Sequence, residues 1–100
     1  MAIYLSKNMK SKQLACLRKK IDRTDYALVK VIAKRFIITG RIMALKVKNN
    51  LPIEDRSREG QIIEKIEKLA EKFNLEFNLL RDIFSLIIKE TKDKVTRFDK

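Results

Sequence analysis

From Ser11 to Lys48 nothing in the chain stops a helix. No proline falls in these 38 residues, and the single glycine, Gly40, costs only about 1 kcal/mol against alanine. Leu14, Leu17, Ile21, Leu28, Val31 and Ile32 recur at spacings of three, four and seven, the period of one helix face. Ser11 suits the N-cap, and Asn49-Asn50 followed by Pro52 marks the stop. At 1.5 Å per residue such a helix spans about 57 Å. A compact chain of 100 residues has a radius of gyration of only about 13 Å. A helix that long outruns its own globule and leaves its apolar stripe in water unless another chain covers it. The expected architecture is therefore all-α, three helices per chain with a very long first helix, in an intertwined two-fold homodimer. A three-helix monomer with a broken first helix is the alternative.

Two more helices follow. The second is expected from Asp55 or Ser57 to Phe73, with Ile62, Ile63, Ile66, Leu69, Ala70 and Phe73 as its apolar stripe. Asn74 suits the left-handed position that ends a helix. The third is expected from about Glu76 to near the end. Leu80, Ile83, Phe84, Ile87, Ile88, Thr91, Val95 and Phe98 mark its buried side. Two glycines and one proline leave little material for turns, which argues against a many-stranded fold. Residues 1–10 read as an N-terminal tail and residues 11–100 as one helical domain.

Composition narrows the chemistry. One cysteine, Cys16, excludes an internal disulfide, and the absence of histidine excludes a His/Cys zinc site or a His-based triad. No run of 18 apolar residues spells a membrane span, and the Met1–Leu5 patch is too short for a signal peptide, so the chain reads as cytoplasmic. The net charge of +11 lies wholly in residues 1–48, which hold thirteen Lys/Arg against two acids; residues 49–100 are balanced. A basic half fits an anionic partner or a solvated lysine face.

Two cations point the wrong way for a solvated face. At about 100° per residue, with Leu14 at zero, Leu17, Ile21 and Leu28 fall between about 300° and 340°. Arg35 and Lys46 fall in the same sector, about three turns apart, and Arg18 lies at its edge near 40°. A charge turned toward a core is costly unless paired. Either the long stems snorkel or these residues line an internal anion site. The segment Pro52-Ile53-Glu54-Asp55-Arg56-Ser57-Arg58-Glu59 adds charges at the start of the second helix. Glu59 suits the positive helix end and Arg58 does not. Arg58 is thus either an exposed residue of a capping turn or a ligand for a nearby anion.

Together these residues form a pattern. Leu17-Arg18-Lys19-Lys20-Ile21-Asp22-Arg23-Thr24-Asp25 resembles the opening of the all-helical (type II) chorismate mutases. Ala33-Lys34-Arg35, Lys46, Leu51-Pro52-Ile53, Asp55-Arg56-Ser57-Arg58-Glu59 and Phe84-Ser85-Leu86-Ile87-Ile88 continue it in register, so the resemblance covers about residues 14–96 without a gap. It implies an intertwined dimer of three-helix chains that rearranges chorismate, a small dianion, to prephenate in aromatic amino acid biosynthesis on the shikimate pathway. By resemblance, Arg18 reaches into the partner's site, while Arg35, Lys46 and Arg58 grip the substrate of their own chain's pocket. Lys46 and Arg35 carry the catalysis. Asp55 and Glu59 hold the ring hydroxyl, and Thr91 helps bind a carboxylate.

The reaction implied is a unimolecular pericyclic rearrangement, which needs no metal, cofactor, nucleophile or proton transfer. Its demands are a compact substrate conformer, forked donors for carboxylates and a donor aimed at the ether oxygen where negative charge builds. Val95 stands where the family places Gln or Glu as a second such donor, and valine cannot donate. The leading reading is a chorismate mutase; Val95 keeps as alternatives a slow or inactive mutase, or an enzyme for a chorismate relative, as an aminodeoxychorismate mutase or an isochorismate pyruvate-lyase. A basic helical dimer on nucleic acid is the other class of reading. It is disfavoured because Arg35 and Lys46 face inward and no nucleic-acid motif accompanies them.

Overall fold

A computed structural model describes the backbone of residues 2–98 and the side chains of residues 9–94. It contains three helices, α1 (Ala2–Lys48), α2 (Arg56–Lys72) and α3 (Phe77–Phe98), and no strand among the described residues. Residues 2–10, read above as a tail, are helical, and Ser11 lies inside α1 rather than at its N-cap. The physical reason is that neither proline nor glycine precedes Ser11, and an interior serine costs a helix only a few tenths of a kcal/mol, about 0.5. None of the helices is long and apolar enough, among the described residues, to cross a membrane.

Both loops begin with the same device. Asn50 adopts φ 55° past the end of α1, and Asn74 adopts φ 55° past the end of α2. Leu51 N–H donates to the Lys46 carbonyl at 2.8 Å and Asn50 N–H to the Val47 carbonyl at 3.2 Å. At the second site Leu75 donates to Ala70 at 2.8 Å and Asn74 to Glu71 at 3.3 Å. These paired bonds form the Schellman motif, which satisfies carbonyls that the helix leaves open. Asparagine tolerates the left-handed conformation where a β-branched residue does not.

The chain divides into two compact units, Met1–Ile37 and Ile38–Lys100. The first is helix α1 up to Ile37. Its predicted stripe is exposed: Leu14, Leu17, Ile21, Leu28 and Val31 all lie open, and Ile32 is half-buried. In the second unit α2 packs along α3. Ile66, Ala70 and Thr91 are buried there, and Ile62, Ile63, Leu80, Phe84, Ile87 and Ile88 are half-buried. Leu69, Phe73 and Ile83, expected on buried sides, are exposed in the single chain. Leu69 and Ile83 border the stripe rather than centre it, and Phe73 follows the last residue of α2, so one partner helix does not cover them. The Phe98 side chain lies outside the described residues.

Candidate active site

The site is built around the loop between α1 and α2. Lys46 stands in the last turn of α1, where a cation is favoured by the negative helix end. The turn at Asn50 reverses the chain, and the half-buried Lys46 donates from Nζ to the Ile53 carbonyl at 3.2 Å. Lys46 thereby lines a cavity of about 320 Å³ with Leu51, Pro52, Glu54 and Asp55. Lys46, Glu54 and Asp55 thus border one small space.

Asp55 caps α2. Its Oδ1 accepts the Arg58 backbone N–H at 3.0 Å, satisfying one of the donors the helix start leaves open. The cap fixes where the first turn begins and so where Arg58 and Glu59 project. Arg58 is exposed, and its guanidinium donates to Gln61 Oε1 at 3.4 Å. Glu59 is partly buried in the same turn, where the positive helix end favours a carboxylate.

Opposite Glu59, α3 supplies a residue that the sequence reading did not single out. Lys92 Nζ lies 2.5 Å from Glu59 Oε1 and 3.4 Å from Glu54 Oε1. The hydrogen bond with Glu59 raises the Lys92 pKa above its ordinary value, against a smaller opposing effect of burial. The pair sits in a groove of about 610 Å³ between α2 and α3, lined also by Gly60, Ile63, Ser85 and Ile88. One signal could have found it. Lys92 follows Ile88 by four and Ser85 by seven, so it shares their face of the helix.

Thr91 is buried, 7% exposed, and its hydroxyl donates to the Ile87 carbonyl of its own helix at 3.0 Å. That hydrogen must be released before the hydroxyl can serve a carboxylate. Val95 lies on α3, and its side chain is outside the described residues. Lys46, Asp55, Arg58, Glu59 and Thr91 belong to the second unit. Arg18 and Arg35 belong to the first, Arg18 exposed and Arg35 half-buried.

Comparison with known proteins adds the family. A chorismate mutase from Methanocaldococcus jannaschii is 35% identical over 80 residues, covering 80% of this chain and 81% of that protein. A bifunctional chorismate mutase/prephenate dehydratase from Buchnera aphidicola subsp. Schizaphis graminum is 39% identical over 78 residues, covering 78% of this chain but 20% of that protein. One from Aquifex aeolicus is 42% identical over 57 residues, covering 57% of this chain and 16% of that protein. The chain thus spans about a fifth or less of these bifunctional relatives. No solved structure gives a significant match. The family model for chorismate mutase type II matches residues 17–95, and the chain belongs to that family.

Proposed function

We propose that this chain rearranges chorismate to prephenate, as a cytoplasmic homodimer serving aromatic amino acid biosynthesis. The observation that carries this reading is the span of the family match, 17–95, which takes in every expected site residue from Arg18 to Val95. Arg35, Arg58 and the partner's Arg18 bind the two carboxylates through forked, charge-assisted hydrogen bonds. Their grip holds the substrate in its compact conformer and removes rotational freedom before the reaction. Lys46 donates to the ether oxygen as its bond to carbon breaks, an interaction that strengthens as charge develops. Asp55 and Glu59 accept from the ring hydroxyl, and Thr91 turns its hydroxyl to a carboxylate.

The dimer is supported by the uncovered stripe of the first unit. Leu17, Ile21 and Leu28 are 59%, 54% and 58% exposed, too much apolar surface along one helix face to be left in water. Residues 11–100 form the functional domain.

A second reading is favoured by Val95 alone: the same pocket acting on aminodeoxychorismate or releasing pyruvate from isochorismate. Purified protein supplied separately with each substrate, with products identified, decides among them. Prephenate from chorismate is the expected result. Turnover of isochorismate with pyruvate release and none of chorismate would overturn it.

A further inference from the structure

We infer that Lys92 is a positioning residue of this enzyme, holding the Glu59 carboxylate against α3 so that it is aimed before substrate arrives. The inference rests on the mutase reading above, because it assigns Glu59 to the substrate hydroxyl. Glu59 alone is a three-torsion side chain in the first turn of α2, free to sample several rotamers. Its partner across the groove fixes one of them. Lys92 Nζ stands 2.5 Å from Glu59 Oε1, and the two side chains are only 30% and 28% exposed. An ion pair sheltered this far is less screened than one in open water.

The same ammonium reaches Glu54 Oε1 at 3.4 Å. Glu54 directly precedes Asp55, the residue that caps α2. Lys92 therefore holds α3 to both the loop and the helix start. Those are the two segments that supply the hydroxyl-binding acids. A carboxylate has two oxygens and about four lone-pair sites. Glu59 can keep Lys92 on Oε1 and still accept a hydroxyl on Oε2. The pairing thus restricts Glu59 without using up its acceptor capacity. A lysine in this place also offsets the negative charge that Glu54, Asp55 and Glu59 would otherwise set against a dianion.

A double-mutant cycle tests this. Native chain, Lys92→Met, Glu59→Gln and the double variant are assayed with chorismate, reading kcat and KM separately and checking helix content. Methionine keeps the length and apolar stem of lysine. The expected result is that Lys92→Met lowers kcat/KM by about 10-fold to 100-fold. In the Glu59→Gln background the same change should have an effect under about 2-fold, because Lys92 acts through the carboxylate already removed. Lys92→Arg should recover most of the loss, since arginine can hold the same carboxylate. Native activity with no change in Lys92→Met overturns the inference. So does a full loss in both backgrounds, which would mean that Lys92 acts on substrate directly. A native chain inactive on chorismate overturns the mutase reading itself, and the inference falls with it.

Discussion

The helix of Met1–Ile37 and the α2–α3 pair of the second unit both carry apolar stripes, but Leu17, Ile21 and Leu28 are more than half exposed whereas Ile66, Ala70 and Thr91 are buried. Charge divides less sharply: residues 1–37 carry ten Lys/Arg against two acids and residues 38–100 carry fourteen against eleven, so +8 of the +11 lies in the first unit. A helix has one stripe and cannot cover it with itself; two helices in contact cover each other's. The first unit thus has the composition of half an interface, and the second has the beginnings of a core. The difference says where this protein should be sensitive to concentration and where to pH.

The largest effect should come from the bare stripe. Leu28→Glu puts a charge at its centre and should abolish the dimer and turnover together, while the native chain should sediment at about twice 11.8 kDa at low micromolar concentration. A native chain that is helical and monomeric across that range would break the comparison, because the stripe would then need no cover.

Next come the cations. Lys46→Ala and Arg35→Ala should each lower kcat/KM by about 10²–10³-fold with the dimer intact. Unchanged turnover in both would reduce them to snorkelling side chains. Val95→Gln works in the opposite direction. It places an amide donor where the resemblance implies one and should raise turnover of chorismate by up to about 10²-fold. Val95→Ala is its control, opening space with no donor. Equal behaviour of the two would mean that the position is ordinary packing.

The smallest effect belongs to the second unit's ion pair and shows as a pH dependence. Folding raises the Lys92 pKa above its ordinary 10.5, chiefly through its hydrogen bond to Glu59. The unfolded chain loses this proton first, so stability falls as pH rises from about 10.5 through the raised value. Below 10.5 the contribution is fully present. Thermal melts of native chain and Lys92→Met should therefore differ most near neutrality and converge at the alkaline end. Curves that stay parallel would show that the pair adds nothing to stability.

Much of this was legible in the order of residues. The end of α2 and the left-handed Asn74 follow from local chemistry, since asparagine after an apolar periodic run is itself the stop signal. Asp55 was one of two candidate caps, and the bond to Arg58 N–H selects it over Ser57. The start of α1 was misread because Ser11 looks like a cap but has no helix-breaking neighbour before it. Leu69, Phe73 and Ile83 were assigned to buried sides because periodicity identifies an apolar face without saying which chain covers it. Lys92 was missed for another reason. Spacing places it on the face of Ile88, but its partner Glu54 lies 38 residues away in a loop, and no spacing rule within a helix joins the two.

Asp55 has a consequence for how such a protein can change over generations. Its carboxylate ends the loop by accepting the Arg58 N–H, and on the proposed reading it also receives the substrate. A substitution there is judged twice, once by folding and once by binding. Only short oxygen-bearing side chains or glycine pass the first test, and of these only aspartate itself keeps the charge for the second. New substrate preferences must then enter elsewhere, at positions with a single duty. Arg58 is one: its backbone completes the cap, but its exposed side chain holds no element in place and is open to replacement.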